Sequence, residues 1–455
     1  MTSWMRGALL AAPLLTLAAM PAMAQEPKID AGNTAWMIVA TCLVLMMAIP
    51  GISLFYAGMV RKKNILSTMM QSFFVCALVA VAWTVVGYSI AFGNGGLYFG
   101  DFSKVMLNGI NWNGPFVIGY GMTGDPDPTV ATTIPETVFF MFQMTFAIVT
   151  AALIFGAVAD RMKFSAVCLF IVPWSILVYA PIAHAVWHPA GLIWSWGALD
   201  FAGGTVVHIN AGIAGLVGCL VIGKRLGYKT ENMSPHSLVM TMIGASLLWV
   251  GWFGFNAGSN LEANGVTAVA FINTFVATAA ATVAWAVIEQ IVNKKPSLLG
   301  AATGAVAGLV AITPASGLAA PMTSILLGFT ASIVCFFFVT TVKNKLGYDD
   351  SLDVFGVHCI GGIVGAIGTG IVADPALGGQ GFFDYTVFPA VVGEYDMAAQ
   401  VITQIKAVGV TVLWSGIVSA VLFYALKLTI GLRPSPDVEQ EGLDIAEHGE
   451  RAYNY

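Results

Sequence analysis

Charge is scarce in this chain: Asp, Glu, Lys and Arg make up only 9% of its 455 residues. A soluble domain carries roughly a quarter, so a water-soluble fold of this length is excluded. The 19 Lys and Arg form no basic stripe, which removes nucleic acid as a partner. Cysteine is sparse too. All six (Cys42, Cys76, Cys168, Cys219, Cys335, Cys359) fall in apolar stretches without a CxxC pair, so they read as small packing residues, not disulfides or metal ligands. Phosphate loops, nucleophile elbows and cofactor fingerprints are lacking, and neither an enzyme nor a cofactor is expected.

What the chain has instead is apolar length, with 58% hydrophobic residues and a mean hydropathy of +0.82. Arg6, the apolar run 8–19 and the small-x-small pattern Ala22-Met23-Ala24 read as a secretory signal peptide, residues 1–24, cleaved after Ala24. Stretches able to cross a ~30 Å hydrocarbon core, at ~20 residues each, begin near Trp36, Asn64, Pro135, Phe164, Leu199, His236, Val266, Leu298, Pro321, Val354 and Ala399. The expectation is an all-α polytopic membrane protein of about eleven transmembrane helices, the eighth the shortest.

Arg61, Lys62, Lys63, Arg161, Lys163, Lys224, Arg225, Lys229, Lys294, Lys295, Lys343 and Lys345 fall in alternate loops. By the positive-inside rule these loops are cytoplasmic. The N-terminus is then outside, and the polar tail 431–455 is inside, with His448 a solvated tail residue.

An internal repeat organises the spans. Val207-His208-Ile209-Asn210-Ala211-Gly212 aligns with Val357-His358-Cys359-Ile360-Gly361-Gly362, and Phe55-Tyr56-Ala57-Gly58 echoes Phe255-Asn256-Ala257-Gly258. Related helices five spans apart run in opposite directions. This implies a five-plus-five inverted repeat, residues 25–232 and 233–430, with one extra span and a transport site between the halves.

Buried ionisable groups are costly in a membrane, so His208 and His358 stand out. One such histidine is ordinarily a packing residue; a symmetry-related pair would line a path and pass a proton. Asp200 and Asp353, each after a Leu, are expected to cap the starts of these helices. Asp200, on the outer side, would also lend negative potential to the mouth. Phe142, Gln143, Phe146, Trp187 and residues 251–259 gather at the outer ends of spans. Such rings plus one hydroxyl suit a small cation such as ammonium, with Phe146 and Phe255 closing the route beneath. His184 and His188 lack a carboxylate or thiol at ligand spacing, so no metal is expected.

These stretches, with Pro50-Gly51-Ile52-Ser53-Leu54-Phe55-Tyr56-Ala57-Gly58, residues 200–210, Lys295-Pro296-Ser297-Leu298-Leu299-Gly300-Ala301 and Asp353-Val354-Phe355-Gly356-Val357-His358, resemble the ammonium transporter (Amt/Mep/Rh) family, its bacterial Amt branch above all. The resemblance runs from about residue 35 to the tail. It implies a homotrimer in the inner membrane, each subunit with its own pore for ammonium or methylammonium. It also implies a recruitment site of Phe146, Trp187 and Ser259, with Trp252 nearby and Asp200 in support. Phe146 and Phe255 would be the stacked gate, and His208 and His358 the pore pair. The tail motif Glu441-Gly442-Leu443-Asp444 with His448-Gly449-Glu450 implies a cytoplasmic PII signal-transduction protein as a partner. Alternatives are an ammonium sensor with little flux, and an Rh-like gas channel lacking the aromatic site.

Overall fold

The structure, a computed structural model, describes residues 28–117, 131–381, 383–384 and 391–454; the expected signal peptide 1–24 lies outside them. Eleven helices among the described residues are long and apolar enough to cross a membrane: Ala31–Met59, Lys62–Phe92, Glu136–Val158, Phe164–Ser195, Gly204–Ile222, Leu238–Gly258, Gly265–Asn293, Leu298–Ala315, Pro321–Leu346, Phe355–Val372 and Met397–Thr429. They are spans 1 to 11 below. The eighth and tenth share the minimum of 18 residues, about 27 Å at 1.5 Å per residue. Span 1 starts five residues before Trp36, because Asp30 accepts the Asn33 N–H at 2.7 Å and draws a polar first turn into the helix. Two short antiparallel ribbons, Pro115–Val117 with Ala131–Pro135 and Phe383–Asp384 with Val391–Val392, sit in the loops.

Burial separates centre from rim. Spans 3, 5, 8 and 10 are 89, 78, 78 and 67% buried, whereas spans 7, 9 and 11 are 39, 33 and 33%. The central four are two of the five repeat pairs, 3 with 8 and 5 with 10, and span 11 is the addition outside the repeat. It is fastened to the centre by polar contacts: Ser415 Oγ donates to the Asn210 carbonyl (2.8 Å), and Gln404 Nε2 to those of Leu199 (2.7 Å) and Ala366 (2.9 Å).

Spans 5 and 10 cross where glycines permit backbone contact. A Cβ on Gly212 would stand 2.4 Å from the Cys359 nitrogen. Its repeat mate Gly362, 150 residues on, faces Ile209 and the Gly204 carbonyl, each 3.0 Å from a notional Cβ. The reciprocal exchange, 212 on 359 and 362 on 209, is the inverted repeat in atomic form. Lipid-like apolar faces, such as Val239, Leu326, Leu413 and Leu428, cover the outside.

Candidate functional site

The aromatic residues meet at the face where span 3 begins and span 6 ends. Phe146 and Phe255 are stacked, with centroids 4.1 Å apart and planes at 23°. Trp187, at the end of span 4, stands edge-on to Phe146 at 5.8 Å and 83°, and its Nε1 donates to the Asp200 carbonyl at 2.9 Å. Ser259 follows span 6 and donates its hydroxyl to the Phe255 carbonyl at 2.8 Å. Phe142 completes the group, 4.9 Å from Phe146. This side is called the aromatic face and the opposite one, with the Lys and Arg loops, the basic face.

Below the stacked rings lie the histidines. His208 and His358 are buried and point Nδ1 at Nδ1 across 3.3 Å. A neutral pair shares one proton over that gap. One Nε2 then carries a hydrogen and the other accepts. His208 Nε2 has no protein partner although buried, so this imidazole nitrogen is free to bond a small polar molecule that reaches it. Trp252 belongs to this level. It bridges to the aromatic group, 5.5 Å from Phe255, is stacked on His208 at 5.4 Å and 16°, and donates to Thr313 Oγ1 at 2.9 Å. Seven helical residues separate it from Ser259, about 10 Å along the axis, which explains the deeper position.

From the basic face a cavity of about 150 Å³ runs inward between Phe55, Met59, Leu299 and Asp353 and ends at His358. A narrower space of about 10 Å³, walled by Ile52, Leu153, Leu248, Val306 and Trp252, also borders His358.

Both histidines sit in π-helical turns, His208 in Gly204–Ile209 and His358 in Phe355–Cys359. Wide turns of this kind re-aim side chains and are enriched at functional sites. Each opens with a carboxylate cap. Asp200 accepts the N–H groups of Gly203 (2.8 Å), Gly204 (2.6 Å) and Thr205 (2.8 Å) and the Thr205 hydroxyl. At the other helix the cap is Asp350, not the expected Asp353: it accepts Val354 N (3.1 Å) and Phe355 N (2.7 Å). The 150-residue offset relating the histidines also relates Asp200 to Asp350, eight residues before each. Asp353 corresponds instead to Gly203. Both have left-handed φ, +59° and +109°, and Asp353 turns to an ion pair with Lys343 at 2.6 Å.

The basic face is knit by buried charges. Arg225 pairs with Asp349 (2.7 Å) and Asp160 (3.3 Å), and Arg61 joins Asp160 at 3.2 Å. Arg161 donates to the Gly223 and Asp349 carbonyls and to Ser351 Oγ. Burial pushes the Asp350 carboxyl above its ordinary range, against the pull of Lys343. Burial also raises Asp349, but the Arg225 hydrogen bonds and the Arg161 charge outweigh it and hold that carboxyl low. A raised folded-state value contributes stability that is full below the unfolded value, about 3.9, and is lost as pH rises through the folded one. Asp350 should therefore make the protein less stable in detergent from about pH 4 upward. In the same window Asp349, whose contribution disappears only at lower pH, should be silent. Thermal melts of Asp350→Asn should show a flatter pH profile there; an unchanged profile would contradict the assignment.

The tail is docked rather than solvated. Its helices Pro436–Glu441 and Leu443–His448 lie on the basic face. There Glu439 accepts Leu226 N (2.9 Å), Asp444 accepts Ser67 N (2.8 Å) and Glu447 accepts Phe164 N (2.9 Å), while Leu443 N donates to Asn64 Oδ1 (2.8 Å). His448 rests edge-on against Phe164 at 5.2 Å. Its expected solvation fails because carboxylates in the tail meet backbone N–H groups at the starts of spans 2 and 4 and in the loop after span 5. His184 and His188 stack at 4.5 Å, and both His184 ring nitrogens face backbone carbonyls, of Ala91 and Gly96. No group of three metal-ligating residues exists among the described residues.

Membrane-length helices in an inverted repeat, around a buried file of aromatic and imidazole side chains open to one face, define a channel or transporter. The Ammonium Transporter Family model matches residues 35–453, and the chain belongs to that family. It is 47% identical over 433 residues to an ammonium transporter of Aquifex aeolicus, covering 95% of this chain and 96% of that one. Among solved structures it resembles Candida albicans Mep2, with a TM-score of 0.80, 31% identity and coverage of 93% and 91%. A sensor Amt protein is similar at TM-score 0.80 and 25% identity, with coverage of 92% and 98%.

Proposed function

We propose that the protein recruits ammonium at the aromatic face and conducts ammonia, with or without its proton, past the histidine pair to the basic face. The observation that carries this reading is the orphaned Nε2 of His208 beneath the Phe146–Phe255 stack. A bare cation at the midplane of a membrane costs at least ~2.5–3.5 kcal/mol, and the narrow space above His358 offers apolar walls, not an oxygen cage. The ion therefore sheds its proton on entry, to water at the aromatic face where ammonia alone passes, or to the unprotonated imidazole nitrogen of the histidine pair where the proton follows. Phe146, Trp187 and Ser259 bind it first, the rings by cation–π attraction worth ~0.5–2 kcal/mol. Asp200 supports them by holding Trp187 through its carbonyl. The stacked rings open, and ammonia uses the imidazole nitrogens as its polar foothold.

The aromatic face is the outer one in this reading, with the subunits assembled as a homotrimer in the bacterial inner membrane. The signal peptide is cleaved, so intact mass should place the mature start near Gln25; a retained Met1 would refute that. The basic face and docked tail are where a cytoplasmic PII protein would bind. A sensor role has one point in its favour, the likeness of fold to a sensor Amt protein at a TM-score of 0.80; flux decides between the two. An Rh-like gas channel is disfavoured by the intact Phe146, Trp187 and Ser259 group.

Replacing both Phe146 and Trp187 with Ala should raise the methylammonium concentration needed for half-saturation about tenfold, the equivalent of 1.4 kcal/mol, in uptake by proteoliposomes. Saturation at the parental concentration would remove these rings from the binding site.

A further inference from the structure

The loop after span 2 carries an unusual surface. Leu97, Tyr98, Phe99, Phe102, Met106 and Trp112 are all exposed, Met106 by 74% and Phe102 by 65%. Exposed apolar groups this concentrated mark an interaction surface. The loop is also held firmly. Gly100 N donates to the Ile90 carbonyl at 2.6 Å, Ser89 Oγ to the Asp101 carbonyl at 2.8 Å, and Lys104 N to Ser89 Oγ at 3.0 Å. Lys104 makes a buried ion pair with Glu136, which also accepts Asn111 N at 2.8 Å, and Leu192 N donates to the Leu97 carbonyl at 2.8 Å.

Those anchors fix its depth. Ser89 and Ile90 lie in the last turn of span 2, Glu136 is the first residue of span 3, and Leu192 is near the end of span 4. The segment is thus pinned against the ends of spans 2 and 3 at the aromatic face, not projected away from them. Met106 and Leu107 adopt left-handed φ of +55° and +60°, a conformation that bulky residues avoid. Met106, in this strained turn, is the most exposed of the six.

We propose that residues 97–112 form an interfacial wedge whose apolar side chains insert into the lipid leaflet at the aromatic face. The chemistry fits a lipid surface. Tyr, Trp and Phe are the residues of membrane–water boundaries, and an anchored aromatic platform inserts without ordering cost. Charge-based recognition by a protein has little to hold, because Lys104 is turned inward to Glu136 and Asp101 is engaged with Ser103. The proposal needs only the membrane spans and stands apart from the transport reading.

The test attaches an environment-sensitive fluorophore at Met106→Cys, with Cys42 and Cys168, the two cysteines not buried, changed to Ala. The full-length protein is placed in phosphatidylcholine liposomes, and Phe102→Cys serves as a second site should the strained turn refuse the label. The emission should shift to the blue and be protected from iodide. It should also be quenched more by lipid bearing a nitroxide near the headgroup than by lipid bearing one near the chain end. Iodide quenching equal to that of a label at Ala263→Cys, exposed in the loop after span 6 on the same face, would overturn the proposal in favour of a water-facing loop. Iodide protection without nitroxide quenching would overturn it in favour of a surface covered by a second copy or another protein.

Discussion

Replacing His208 with Asp should convert an ammonium-selective pathway into one that leaks potassium. The carboxylate sets a fixed negative charge beneath the Phe146–Phe255 stack, where the native pair offers neutral nitrogens 3.3 Å apart. A cation that faced a penalty of at least ~2.5–3.5 kcal/mol then finds a counter-ion. At 1.4 kcal/mol per decade, removing that penalty raises potassium permeation by roughly a hundredfold. His358→Ala should act differently, lowering ammonium flux while the protein stays folded. Glycine contacts hold the surrounding helix, and the cavity at His358 already reaches the basic face. Ion-selective currents from proteoliposomes, with oligomer integrity checked by gel filtration, separate these outcomes. Parental rate and selectivity in both variants would make the histidines packing residues.

The largest effect on stability is expected at Arg225. Its guanidinium is the shared partner of Asp349 and Asp160, both essentially inaccessible to solvent. Arg225→Ala leaves the buried Asp349 carboxylate without its ion-pair partner, while Asp160 keeps Arg61, a loss of ~3–5 kcal/mol. Lysine would not substitute, because the Asp349 contacts use Nε and Nη2 together and an ammonium cannot form that fork. Removing charge on both sides, with Arg225→Met and Asp349→Leu, should recover part of the loss, since apolar replacement of a buried pair is often neutral. Melting in detergent followed by size exclusion reads all three. A single mutant as stable as the parent would show that the cluster is solvated.

Span number and placement were legible because a hydrocarbon core imposes a length and an apolar composition that hydropathy registers directly. The histidine pair was legible for a related reason: a buried ionisable group is costly, and two at matching repeat positions are hard to produce by packing. Register within the caps was not. A Leu-Asp pair precedes both helices, at 199–200 and 352–353, yet the cap beside His358 is Asp350, as the offset between the histidines requires. Applying the offset to the carboxylates would have found it. The π-helical turns left no trace in side-chain pattern, because they add a residue to the backbone without altering which residues are apolar. Docking of the tail depends on carboxylates meeting individual backbone N–H groups from three loops, and polar composition alone does not distinguish that from solvation.

The most direct test of the account is uptake of labelled methylammonium by the purified protein in liposomes, beside protein-free liposomes, with ammonium, sodium or potassium as competitor. The account predicts saturable uptake that ammonium suppresses and the metal cations leave unchanged. Uptake no faster than in protein-free liposomes, or suppression by potassium equal to that by ammonium, would contradict it.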